Sequence, residues 1–408
     1  MTNSVYQVEN ANTRSLLRQA FDVSARTAAD WNILPEAAYF MDLTKAYFDP
    51  DTPAKPQVIL FGTDFPLEII HALTGRLPYC CLGGNPAFLP ASDEDVPRDT
   101  DPVTRSILGQ LFSMEQAKKT ALVIVPCSSD AQRKAAYLLM DRGWKVVTIW
   151  IPALKNEFTH RGFVSELDHA IRTICRHVGR RYNVFALNRS AARLNEVRST
   201  IHAFLDAARG AETIFPGYLR MAVLDSFFMA SDLDDWHSHL QSLTAALTGA
   251  APFSGPRVLL IGSPVYYPNF KIPMLLRSAG VEICGSIDSR TGQYEDVFAH
   301  KPEKGMEALA HYYFEHDSSS AFVWNEELMA AIRHYVAETK PDGIIWHVLK
   351  GQIEYDFELN RCESYFEEMD LPVIRLETDY QEQDVEQLRI RIEAFSELLT
   401  QKRKERTA

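Results

Sequence analysis

Cysteine is scarce in this sequence: Cys80, Cys81, Cys127, Cys175, Cys284 and Cys362 are spread over 408 residues. So thin and irregular a set excludes a disulfide framework and leads us to expect a reducing, cytoplasmic setting. Positive charge is short as well. A net charge of −12 leaves no surplus of Lys and Arg to displace counterions from a phosphate backbone, so no nucleic-acid partner is expected. The basic stretch 401–406 follows a helical pattern and reads as a solvated helix end. No run approaches the roughly 18 apolar residues of a membrane span. The opening residues carry neither the basic nor the apolar part of a signal peptide, so no membrane association is expected. Nucleotide fingerprints are missing too: Gly83-Gly84 is not a GxGxxG turn, and no Walker-type lysine loop occurs. His71, His311, His334 and His347 stand in no metal-binding spacing and read as structural.

What is present is an alternation of short apolar runs with amphipathic stretches, the pattern of βαβ units and parallel sheets. Gln57-Val58-Ile59-Leu60-Phe61, Leu122-Val123-Ile124-Val125 and the run from Lys145 to Trp150 predict strands, with helices over 67–73 and 131–140. Between 161 and 250 the pattern turns helical, as over 188–208 and 236–247, with almost no β-branched runs. After the Pro- and Gly-rich stretch 250–256, four further strands are predicted at 257–262, 281–284, 342–349 and 372–376. A final helix carries Val385, Leu388, Ile392, Phe395 and Leu399 on one stripe. The expectation is an α/β protein with two parallel-sheet domains of the Rossmann or flavodoxin kind. An N-terminal domain covers 1–160, a helical connector 161–250 and a C-terminal domain 251–408.

Ligands of open parallel sheets gather where strand ends run into helix N-termini. Three such places stand out. Asp101-Pro102 has the form of an N-cap followed by a first-turn proline, and by itself reads as a helix start. In Val125-Pro126-Cys127-Ser128-Ser129-Asp130 the hydroxyls and amides suit an anion, although Ser129 or Asp130 equally suits a cap. Cys127 is either a ligand, a nucleophile or a small buried residue, the last being the commoner fate of a cysteine without a nearby histidine. The third place, Leu349-Lys350-Gly351-Gln352-Ile353-Glu354-Tyr355-Asp356, gathers more polar side chains at a strand end than either earlier loop. Cys80 and Cys81 are adjacent, so in a strand they face opposite sides and do not easily share a metal.

The run from Asp342 to Gly351, then Tyr355-Asp356-Phe357-Glu358, then Leu371 to Tyr380 resembles the corresponding region of 2-hydroxyacyl-CoA dehydratase and benzoyl-CoA reductase subunits. Asp384-Val385-Glu386-Gln387-Leu388-Arg389, the stretch from Pro66 to Leu73 with Leu77-Pro78, and Ile261-Gly262-Ser263-Pro264 extend the likeness to both predicted domains. The resemblance implies paired, related subunits in anaerobic metabolism and an acyl-CoA ligand held between domains. It implies [4Fe-4S] clusters bound through three cysteines in each cluster-bearing subunit, and a separate iron–sulfur activator that hydrolyses ATP to inject a low-potential electron. In this chain the three cysteine positions align with Asp101, Ser129 and Gln352, none of them a thiol. The pocket candidates are therefore Asp101, Ser129, Lys350, Gln352 and Tyr355. The cluster is expected in a paralogous partner, with Cys81 and Cys127 as the fallback ligands here. Two functions follow from the resemblance. One is a component of an acyl-CoA dehydratase or reductase complex, incomplete as an enzyme alone. The other is a non-catalytic structural or assembly subunit. The two-domain layout by itself is shared with nucleotide-sugar transferases and decides nothing.

Overall fold

The computed structural model describes residues 2–51, 55–294, 305–317 and 319–407. Two parallel sheets organise it. The first is built from β1 (Val58–Phe61), β2 (Tyr79–Cys81), β3 (Leu122–Cys127) and β4 (Lys145–Trp150), in the order β2-β1-β3-β4. The second comprises β5 (Arg257–Gly262), β6 (Glu282–Ile287), β7 (Gly343–Leu349) and β8 (Val373–Thr378), in the order β6-β5-β7-β8. The expected α/β class with two parallel sheets is thus what the chain adopts. Strands β1, β3 and β7 are buried along their whole length, which is why they read as unbroken apolar runs rather than alternating ones. Strand β2 is only three residues long, too short for a periodic signal in the sequence.

Each sheet repeats one arrangement: the first strand has its successor on one side and the third strand on the other. The chain reverses its direction of winding at that point, and a crevice opens at the strands' carboxyl ends. After β4 come four long helices, Glu157–Val178, Val184–Arg209, Gly217–Phe227 and Leu233–Ala246. Asn156 and Thr159 form a capping box at the start of the first, and Gly179 ends it in the left-handed conformation. Every residue of Gly217–Phe227 is buried, including Arg220, Asp225 and Ser226.

These helices touch both halves. Ser190 Oγ lies 2.8 Å from His71 Nδ1 of the first half, while Gly217 packs against the backbone of Ile283 in β6, where a side chain would clash. One apolar core runs through the first sheet, these helices and the second sheet. The halves also meet directly. A Cβ on Gly84 would lie 2.5 Å from the Tyr266 oxygen and 2.6 Å from that of Tyr267, and the Gly84 carbonyl accepts from Asn269 N at 3.1 Å. Gly83-Gly84 is therefore a close-approach point between halves. Trp31, from the segment preceding β1, packs on Tyr218, Tyr267 and Phe270. Among the described residues no helix is long and apolar enough to cross a membrane.

Candidate functional site

The carboxyl ends of both sheets face a shared cleft of about 410 Å³. Its walls come from the loops after β1, β3, β5, β6 and β7, the start of helix Pro102–Phe112, and residues 319–321. Asp101, Ser129, Gln352 and Tyr355 all line it, although 251 positions separate the first from Gln352. Lys350 does not. Its ammonium turns outward, donates to Asp379 Oδ2 at 2.9 Å, and is held above its usual range mainly by that bond.

Local chemistry explains each placement. Asp101 caps helix Pro102–Phe112 by accepting from Thr104 N at 2.9 Å. Burial nevertheless pushes its carboxyl above the ordinary range. The Gln352 amide donates to Asp101 Oδ1 across a long 3.5 Å, and Gln352 Oε1 finds no partner among the described residues. Gly351 makes that meeting feasible. Its φ is +88°, and a Cβ there would sit 3.0 Å from both Asp99 O and Asp101 N. Ser129 caps helix Asp130–Asp141 in a capping box with Gln132. Gln132 Oε1 also accepts from Ser128 N at 2.9 Å, Ser128 Oγ at 2.7 Å and Ser129 N at 3.1 Å. The donors that looked free for an anion at this loop are thus taken by Gln132, and capping is the role the loop displays. Tyr355 sits in the first turn of helix Glu354–Glu368, its hydroxyl held well above the usual range by burial.

Sequence reasoning missed the loop after β1. Asp64 lines the cleft there; burial, and next the nearby Asp317, push its carboxyl up to about 7, opposed by the Thr63 hydroxyl, which donates at 3.2 Å. Burial likewise raises Asp317 to about 6. Gly62-Thr63-Asp64 obeys the same strand-end rule as the loops after β3 and β7, so the signal was available. Asp130, Arg133 and Glu354 complete the charged lining. Arg133 lies over the Trp150 ring, 4.6 Å from its centroid. A carboxyl poised near neutrality beside hydroxyl donors can hold or release a proton and orient a carbonyl oxygen.

An iron–sulfur cluster does not fit this donor set. Cluster iron is bound chiefly by thiolates, and no cysteine lines the cleft among the described residues. Cys127 is buried and its thiol is pushed up to about 11; Cys81 is fully buried in β2 and is raised further. Both are the opposite of an accessible thiolate. All six thiols are free. Among the described residues, no three His, Cys, Asp or Glu side chains group as a metal site.

The chain was compared with known proteins. Residues 63–399 match the family described as 2-hydroxyglutaryl-CoA dehydratase, D-component. The "(R)-phenyllactyl-CoA dehydratase beta subunit" of Clostridium sporogenes is 26% identical over 148 residues, covering 36% of this chain and 39% of that subunit. The "Putative dehydratase subunit YjiM" of Escherichia coli (strain K12) is 21% identical over 353 residues, covering 84% of this chain and 91% of that protein.

Proposed function

The chain belongs to the 2-hydroxyglutaryl-CoA dehydratase D-component family, and from that premise we propose that it is one subunit of a 2-hydroxyacyl-CoA dehydratase or benzoyl-CoA reductase type of complex. In this reading it shapes an acyl-CoA pocket in the cleft while a paralogous subunit carries the [4Fe-4S] cluster. A separate ATP-hydrolysing iron–sulfur activator supplies the electron, and the assembly works in the cytoplasm under anaerobic conditions. The observation that carries the reading is the cleft itself. Asp101, Ser129 and Gln352 line one cavity at the sheet ends, as three ligands of one group would, yet offer carboxylate, hydroxyl and amide in place of thiolates. Asp64, poised near 7, and the surrounding hydroxyls are suited to binding a thioester and moving a proton.

In this reading the chain is paired with a second, related subunit. The relative from Clostridium sporogenes is named as a beta subunit, which fits the same idea.

A second reading, a non-catalytic assembly subunit, is favoured by one observation: Gln132 already occupies the donors of the β3 loop. Co-expression with a cluster-bearing paralogue and the activator separates the two. Activity on a 2-hydroxyacyl-CoA that needs all three components, and falls on Asp64→Asn in a complex of normal composition, supports the first. Unchanged kcat and KM for Asp64→Asn and Gln352→Leu leaves only the assembly role.

A further inference from the structure

The charge on the walls of the cleft is one-sided. Among the described residues that line it, four carry carboxyl groups, Asp64, Asp101, Asp130 and Glu354, and one carries a guanidinium, Arg133. That guanidinium is already committed: it pairs with Asp130 on the same helix and lies over the Trp150 ring. Cations on residues next to the cleft are taken as well. Lys350, beside Gly351, holds Asp379 at 2.9 Å. Arg290, beside Ser289, is held by Asp225 and Asp288. Lys155 pairs with Glu327 at 2.9 Å and donates to the carbonyls of Asp317 at 2.8 Å and Glu315 at 3.1 Å.

A carboxylate brought into such a cavity gives up its hydration and gains no counter-ion, the costly case for a buried charge. Proteins usually meet that cost with an arginine fork or another cation. Here Asp64 and Glu354, both half-buried on the walls, add like charge whenever they are ionised. Burial raises both carboxyls, and a protonated one can donate to a neutral oxygen, which needs a hydrogen bond and no opposite charge. Ser289 and Ser320, also half-buried, bring hydroxyls to the same walls, and Val103 and Ala321 bring apolar surface.

We propose that the acyl group accepted by this cleft is uncharged. Its substrate class is a 2-hydroxyacyl thioester whose side chain ends in an apolar or neutral polar group, and an acyl group ending in a carboxylate, like the one in the family's name, is rejected. At about 410 Å³ the cleft has room for either kind of side chain, so charge and not size makes the selection. The inference rests on the acyl-CoA reading of the cleft and narrows it to a class of substrate.

Two thioesters of nearly the same shape test it by calorimetry on the full chain. One is 2-hydroxyglutaryl-CoA, and the other has its terminal carboxylate replaced by a carboxamide. The CoA part is common to both, so the ratio of their affinities reports the acyl end alone. The carboxamide is expected to bind at least about tenfold more tightly. Glu354→Gln should narrow that ratio, and Glu354→Arg, which puts a cation without a partner on the wall, should narrow it further or reverse it. Melting curves establish that each variant is folded; if Glu354→Arg is not, Glu354→Gln decides. A carboxylate that binds as tightly as the carboxamide, or an unaltered ratio in the folded Glu354 variants, overturns the inference and leaves the acyl-CoA reading standing. Binding of neither thioester overturns the acyl-CoA reading itself, and the inference with it.

Discussion

The buried seam that joins the two halves and the cleft in front of it are built from the same kinds of side chain, used in opposite ways. In the seam, Glu68 and Arg198 are almost fully buried and form an ion pair at 2.6 Å in which Glu68 Oε1 has the charge but not the geometry of a hydrogen bond, while Glu68 Oε2 accepts from Tyr313 and Arg198 donates to the Gln293 carbonyl. Asp225, Arg290 and Asp288 form a second closed set. In the cleft, Asp101 and Gln352 meet only at 3.5 Å, an amide oxygen is left over, and Asp64 has one hydroxyl for company. Closed networks fix geometry, whereas unclosed ones retain capacity for a ligand. The difference locates function more sharply than residue type does.

The largest effect is expected in the seam. Arg198→Met leaves Glu68 buried and unpaired, which should cost about 3–5 kcal/mol in denaturant unfolding. Adding Glu68→Gln to it should recover part of that loss, since an uncharged pair removes the stranded charge. Full additivity of the two losses would show that the seam is not a coupled network. Next comes Gly351→Val, where a β-branched residue must adopt a left-handed φ and push against Asp99 and Asp101. A loss of roughly 1–3 kcal/mol is expected, together with weaker ligand binding in the cleft. Asp101→Ala removes a helix cap and should cost about 1 kcal/mol, far less than the seam variant.

A further effect depends on pH. Asp64 titrates near 7 in the folded chain and near the ordinary value of about 4 when unfolded. The folded chain therefore binds more protons across about pH 4–7, and this group's contribution to stability falls as pH rises through that window. Asp64→Asn should raise the melting midpoint at pH 8 and much less at pH 5. An equal rise at both values would mean that the carboxyl is not held near neutrality.

Much of the fold was legible in the residues themselves. Strands such as Val58–Phe61 and Gly343–Leu349 are apolar on both faces, so their runs stood out, and the Asp101 and Ser129 caps were recognisable from residue type alone. The cleft was legible only in part. The strand-end rule, with the resemblance, picked out Asp101, Ser129, Gln352 and Tyr355, but Lys350 follows its neighbour Asp379 away from the cleft. Asp64 follows a strand end, where the same rule applies, but it was passed over because nothing in the residues flanking it marks it out; its raised pKa comes from burial and from Asp317, both properties of the folded state. The role of Gly351 likewise depends on a contact with Asp99 and Asp101 that no local reading supplies.

In the reading proposed above, the cleft keeps the scaffold of a cluster site while its donors are not thiolates. Anaerobic reconstitution with iron and sulfide, followed by iron analysis and visible absorption, tests it on two proteins: the native chain and the triple variant Asp101→Cys, Ser129→Cys, Gln352→Cys. The expected result is no bound cluster in the native chain and a gain of about four irons per chain in the variant, with thiolate-to-iron absorption. About four irons in the native chain, lost on Cys127→Ala, would contradict it.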